Sequence, residues 1–229
     1  DHFFAQKSWP EPDVEFCYHE VLNQGETQAE RLLDRVIDWW IYYQNDRIQF
    51  AIQIFAEHEK AGRLNSFGRS FLFYLHGLNK SRSANYQEAE SFLGQAQAAY
   101  QSIEFKNPRY FAMLLRDLSS SKYDQGDIEA AVPICEKSLQ ICEAQLGENH
   151  PDTAASLNNL AGLYQAQGQY EAAEPLHLRA LKIREGQLGK NHPNTAIGLD
   201  NLAGLYQARG QYEAAEPLHL RALKIREGQ

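Results

Sequence analysis

Between Thr153 and Gln167 the apolar residues Leu157, Leu160, Ala161 and Tyr164 recur at i, i+3, i+4 and i+7, the spacing of one face of an α-helix. Gly168 and Gln169 interrupt that pattern, and a second helical stretch begins at Tyr170. Tyr170, Ala173, Leu176, His177, Ala180, Leu181 and Ile183 line its inner side. Lys182 and Arg184 sit near its C-terminal turns, where cations suit the helix dipole, and Gly189 can take the left-handed terminating conformation. Asn191-His192-Pro193 announces the next helix, with Pro suited to a first turn and Asn or His to a cap. Small residues such as Ala161, Ala173 and Ala180 are placed to let two helices approach closely. Pro175 lies about six residues into the second helix, where its missing donor should bend or loosen the first turn.

This two-helix pattern is written more than once. Leu146 to Gln187 and Leu188 to Gln229 are identical at 36 of 42 positions. Self-similarity at such a period marks a solenoid, in which each unit must stack on its neighbours to bury its apolar face. Pro133, Pro175 and Pro217 recur at intervals of 42, so the helix irregularity belongs to the repeat. The same register runs backwards: Gly126, Ala130, Ala131, Pro133, Leu139, Ile141 and Gln145 match Gly168, Ala172, Ala173, Pro175, Leu181, Ile183 and Gln187. One period earlier, Gly77, Tyr86, Ala89, Phe92 and Ala96 stand where Ala161, Tyr170, Ala173, Leu176 and Ala180 stand later. At least four helix pairs are therefore expected from about residue 66 onward. Upstream, Thr27 to Gln44 and Asp46 to Ala61 read as a degenerate pair with Leu32, Leu33, Val36, Trp39, Trp40, Ile48, Ile52 and Phe55 as its core, and residues 11–23 as a short leading helix. This Trp- and Phe-rich third reads as a cap on the first face of the solenoid.

Composition narrows the function classes. The formal charge of -8 and pI near 5.5 argue against binding to nucleic acid or to an anionic membrane. No apolar run approaches the ~18 residues of a membrane span and no signal peptide opens the chain, so the expected location is the cytoplasm. Cys17, Cys135 and Cys142 lack metal-ligand spacing and read as small buried apolar residues. The histidines His150, His192, His177 and His219 follow the repeat and not a metal sphere, and His58-Glu59 lacks the second His of a zinc protease. With no phosphate-cradling glycine loop and no nucleophile elbow, neither a catalytic residue, a metal site nor a cofactor is expected. Met113 is the sole methionine and Gln229 is the last position of a repeat, from which a longer natural array, and an uncapped apolar face on the final pair, are expected.

The alternation L-x-N-L-A-x-L-Y-x-x-x-G, then Y-E-A-A-E-P-L-x-x-R-A-L-x-I-R-E, joined by L-G-x-N-H-P, resembles the 42-residue tetratricopeptide repeats of kinesin light chains and of bacterial, including cyanobacterial, arrays. The likeness covers residues 104–229 in full spelling and 66–103 in part. It implies an all-α fold, a right-handed superhelical solenoid of antiparallel helix pairs with about 10–11 helices. The expected division is 1–65 as an N-terminal helical cap with a degenerate pair, 66–103 as a degenerate repeat, then repeats at 104–145, 146–187 and 188–229.

The resemblance implies no catalytic activity. It implies a concave groove, lined by the first helix of each pair, that takes a peptide or partner protein. The twin repeats differ at Glu148/Lys190, Asp152/Asn194, Ala155/Ile197, Ser156/Gly198, Asn158/Asp200 and Gln167/Arg209, none of them in the second helix. Ligand choice acting on the first helix would produce this distribution, and so would drift at exposed positions. In the resembled family Ala155, Asn158, Ile197 and Asp200 occupy groove positions, and Asn159 and Asn201 occupy the site where an Asn side chain bonds a peptide backbone, since an amide both donates and accepts. Gln165 and Gln207 lie further along that face, while Arg116 and Asp117 depart from the Asn-Asn pair in the preceding repeat. The groove expectation thus comprises Arg116, Asp117, Ala155, Asn158, Asn159, Gln165, Ile197, Asp200, Asn201 and Gln207, with a solvated polar face as the alternative. The first-helix Lys of chaperone-tail clamps is missing. Two function classes remain: a protein-interaction scaffold, or the sensor or regulatory array of a larger bacterial effector whose protease or nucleotide-switch domain lies elsewhere. The expected partners are a protein or peptide, with no nucleic acid and no membrane, together with self-association through the uncapped C-terminal repeat.

Overall fold

The computed structural model describes residues 45–102 and 107–228. The chain divides into two compact units, Asp1–Tyr110 and Phe111–Gln229. Every regular element among the described residues is helical. The expected leading helix at 11–23, the helix Thr27–Gln44, Cys17, Trp39 and Trp40 lie outside the described residues.

The first unit contains α1 (Asn45–Lys60), α2 (Ser66–Arg82), α3 (Tyr86–Gln101) and the opening residues of α4 (Pro108–Asp124). Asn side chains start these helices: Asn65 Oδ1 accepts from the Gly68 N–H at 2.7 Å, and Asn107 Oδ1 accepts from that of Tyr110 at 2.8 Å. Asn85 accepts from the Glu88 N–H while its own amide donates to the Glu88 carboxylate at 2.7 Å, a reciprocal arrangement of capping-box type. The core is aromatic. Phe71, Tyr74 and Tyr110 are essentially fully buried and ring-packed, and the Tyr110 hydroxyl lies 2.9 Å from Ser70 Oγ, which donates to the Ala96 carbonyl at 2.7 Å. Burying a Tyr needs such a partner for its hydroxyl. The α2 and α3 backbones meet closely at Gly77, where an added Cβ would fall 2.7 Å from Leu93.

The second unit continues α4 and adds α5 (Ile128–Ile141), which runs on through a π-helical turn at Cys142–Leu146, then α6 (Pro151–Ala166), α7 (Tyr170–Gln187), α8 (Pro193–Ala208) and α9 (Tyr212–Glu227). Thr153, the first residue read as helical from the periodicity, falls inside α6: His150 caps that helix, its Nδ1 accepting from the Asp152 N–H at 3.1 Å, and Pro151 follows as the first residue. His192 and Pro193 repeat this at α8. Thr153 and Thr195 each tie the preceding loop by donating to Gly147 O and Gly189 O at 2.8 Å. The helices run unbroken through Pro133, Pro175 and Pro217, which lie so near the N-terminus that each costs only one ladder donor.

The turn inside each pair is the most regular feature. At Gly168, with φ +74°, the Gln169 N–H reaches back to Tyr164 O at 2.8 Å and the Gly168 N–H to Gln165 O at 2.9 Å, the two bonds of a Schellman motif. Gly126 and Gly210 make the same pair of bonds. One period earlier the position is Ala84, and the motif persists there with the alanine held at φ 55°. A left-handed Cβ residue is strained by roughly 1–2 kcal/mol, part of which a glycine forfeits as unfolded-state entropy. Ala84→Gly should therefore stabilise the chain by up to ~1 kcal/mol, read as a higher urea midpoint at unchanged slope.

Packing in the second unit runs through small residues. Ala161, Ala173, Ala180, Ala196 and Ala222 have no exposed surface, and Leu157, Leu199, Leu202 and Leu205 fill the space around them. Ala180 is fully buried against Ala154 and Leu157, in a close-packed interior that resists added volume. Ala180→Leu should cost ~1–3 kcal/mol by overpacking, with the loss visible in chemical denaturation while helical circular dichroism of the folded state is kept.

Candidate functional site

A cavity of about 360 Å³ opens in the second unit. It is lined by Ser119, Ser120 and Tyr123 from α4, by Asn158, Asn159, Gly162, Leu163 and Gln165 from α6, and by Asp200, Asn201 and Gly204 from α8. His177 reaches it from α7. Three first helices thus line the cavity and one second-helix residue joins them. Gly162 and Gly204 keep it open, since a Cβ at either would meet nothing within 4 Å.

The repeat register explains which polar groups are occupied. Asn159 Nδ2 donates to Ser120 Oγ at 3.3 Å, across to the preceding first helix. Asn201 is its counterpart, but Gly162 stands where the serine would be, so among the described residues the Asn201 amide has no hydrogen bond. An unengaged amide beside a glycine-lined opening can both donate to and accept from a backbone peptide group.

Asn158 and Asp200 behave differently. Asn158 Oδ1 lies 3.0 Å from His177 Nδ1, and Asp200 Oδ1 lies 2.9 Å from His219 Nδ1. Each first-helix residue is therefore held by the histidine of its own second helix. Asp200 also pairs with Arg226. His177 is 2% exposed, and its Nε2 is buried without a partner. Burial, and then the Arg184 charge, push its pKa down to about 4, so it is neutral near pH 7. Burial likewise pushes the Cys135 thiol up to about 12, which makes it an inert part of the packing.

The sequence pattern of the tetratricopeptide repeat matches residues 110–186 and 156–228, more than half of the chain. The chain belongs to the tetratricopeptide repeat family. Among curated proteins, none matches its sequence. Solved structures resemble it in fold. BtubC (BKLC) from P. vanneervenii superposes with a TM-score of 0.67 at 20% identity, over 82% of this chain and 74% of that one. The nearly identical TPR-like repeats assigned to a kinesin light chain of Podosopora anserina superpose with 0.60 at 23% identity, over 89% and 97%. The apo form of RapI gives 0.65 at 16%, over 84% and 68%.

Within this tetratricopeptide array, the structure gathers five of the ten expected groove residues at one cavity: Asn158, Asn159, Gln165, Asp200 and Asn201. The other five do not line it. Arg116 makes ion pairs with Asp117 and Asp152, each at 3.8 Å, while Ala155, Ile197 and Gln207 lie elsewhere on their helices. Ser119, Ser120, Tyr123, Gly162, Leu163, His177 and Gly204 were not anticipated. Part of that set was within reach, because Ser120, Gly162 and Gly204 share one register position and Tyr123 occupies that of Gln165.

Several twin-repeat differences turn out to be packing pairs. Ser156 Oγ lies 3.6 Å from Cys142 Sγ; one period on, Gly198 leaves space for Arg184, whose Nη1 stands 3.2 Å from where a Cβ would be. Arg209, replacing Gln167, binds the Glu174 carboxylate. A second helix repeated letter for letter therefore meets partners that were changed to suit the helix before it.

In acid the unfolded chain takes up a proton at this imidazole and the folded chain resists it. The stability gained by keeping His177 neutral is complete above about pH 6.5 and is lost as pH falls toward about 4. The loss should amount to ~3 kcal/mol. His177→Gln should flatten the fall in unfolding free energy between pH 7 and pH 4.5; parallel slopes for the two proteins would refute the assignment.

Proposed function

We propose that this tetratricopeptide array is a non-catalytic protein-interaction scaffold that receives an extended segment of a partner protein in the cavity lined by the first helices α4, α6 and α8. The observation that carries this reading is the unengaged Asn201 amide beside Gly162, a backbone-reading group at an opening. Asn159 contributes more weakly, because binding there must compete with Ser120. Neutral polar groups set the register of a bound chain, while a partner side chain entering between the glycines supplies the apolar contact. The repeat boundaries 104–145, 146–187 and 188–229 are adopted with this reading, and the scaffold is placed in the cytoplasm. No helix among the described residues is long and apolar enough to cross a membrane.

Asn201→Ala should weaken capture of partner proteins from the source cell several-fold, and Asn159→Ala less, with helical circular dichroism and melting unchanged in both. Capture undiminished in the double variant would remove the groove from consideration.

The final pair supports the self-association expected of it. Tyr212, Leu220 and Leu223 on α9 are 69%, 59% and 47% exposed, whereas Leu181, which occupies the position of Leu223 on α7, is 9% exposed beneath α8. Leu178, at the position of Leu220, is itself 45% exposed, so the surface covered in one copy and open in the next is the one around Leu223, and we assign that surface to a second copy of this chain. Leu220→Lys with Leu223→Lys should abolish concentration-dependent sedimentation; an unchanged profile would rule out this contact.

A further inference from the structure

The twin repeats carry one constellation in two charge states. In the last repeat Asp200, His219 and Arg226 form a closed set, the carboxylate accepting from the imidazole and pairing with the guanidinium. One period earlier the same positions hold Asn158, His177 and Arg184. Exchanging the carboxylate for an amide removes the counter-charge and leaves the cation. Arg184 accordingly has no ion pair among the described residues, and its Nη1 is buried without a hydrogen bond. The neighbouring Arg116 adds to the positive charge: with burial as the main cause and Arg116 the second, the Arg184 guanidinium is depressed to about 10. Arg116 itself stands at the register position of Asn158 and Asp200, so three successive repeats present Arg, Asn and Asp there. Only the last of the three supplies a negative charge at that position; Arg116 is already held by Asp117 and Asp152, whereas Arg184 has no carboxylate of its own among the described residues.

Arg184 is half-buried, and its Nη1, buried with no acceptor, loses its hydration without replacement, which costs more than a paired donor. The space around it is fixed by packing, with Gly198 pressed against it. The remedy available to the folded chain is a negative group from outside, and guanidinium donors match a planar or tetrahedral oxyanion by geometry as well as charge.

We propose that Arg184, with Arg116 beside it, binds a single oxyanion group that replaces in trans the carboxylate Asp200 provides in cis. Inorganic phosphate from solution and an acidic side chain of a partner segment share this chemistry; neither arginine lines the cavity described above. The site rests on the charge balance of the repeat and not on the groove reading, so failure of partner capture leaves it standing.

The test is thermal melting of the full chain in millimolar phosphate, or in N-acetylaspartate methylamide, against sodium chloride of equal ionic strength and against the uncharged asparagine analogue. The wild type should show a saturable rise in Tm of about 3 °C or more. N158D, which installs the carboxylate of the twin, should melt higher without added anion and lose the response; R184M should lose it as well, and carries the comparison alone if N158D does not fold. A response to phosphate only identifies a free inorganic anion as occupant, and a response to both identifies an acidic side chain as an admissible one. A wild type that responds no more than to chloride, or variants that respond as the wild type does, would overturn the site.

Discussion

Close approach of helices at methyl-sized side chains is the constraint on which the second unit depends. Ala161, Ala173, Ala180, Ala196 and Ala222 are wholly buried, and each places no more than a methyl group between packed helices. The neighbouring Leu side chains then interdigitate, and the apolar surface that no pair can bury alone is shared between successive pairs. Everything polar is fitted around this spacing. The Schellman turns at Gly126, Gly168 and Gly210 and the His-Pro starts at α6 and α8 fix where each helix stops and begins, so every pair presents its neighbour with the same surface.

That regularity makes departures from it informative. Where the repeat calls for glycine and has Ala84, the backbone still adopts the left-handed turn, which shows that packing over-determines the local preference. Where Ser120 is replaced by Gly162, an amide loses its partner and an opening appears. Where Asp200 is replaced by Asn158, a half-buried cation loses its counter-charge. Each of these is a single substitution on an unchanged frame, so its consequence can be assigned to one group.

The two units are stabilised by different chemistry. The first buries Phe71, Tyr74 and Tyr110 and must satisfy the tyrosine hydroxyls, as Ser70 does for Tyr110. The second uses alanine and leucine and leaves its polar groups for the cavity and for pairing between successive helices. Tyr164 and Tyr206 illustrate the second pattern, their hydroxyls donating to Glu136 and Glu174.

Helix number, helix order and the interior faces in residues 66–228 were legible in the sequence, because a fixed period and a 3.6-residue spacing are set by the order of residues along the chain and survive any modest rotation of a helix. The candidate site was half legible. Asn159 and Asn201 could be placed on the first helices from the register, but whether their amides are engaged depends on what stands across the gap, a serine in one repeat and a glycine in the next. Asn158 and Asp200 were read as groove-facing. They line the cavity but are turned toward His177 and His219, an orientation settled by the depth of the second helix in the stack. The sequence by itself determined that this chain is a repeated helix pair with one identical and one varied helix. The tertiary structure decided which varied positions answer to a neighbouring helix and which remain open to a partner, because that choice is made by contacts between helices, within a repeat and across repeats, where residues 19 or more positions apart in the chain meet within a hydrogen bond.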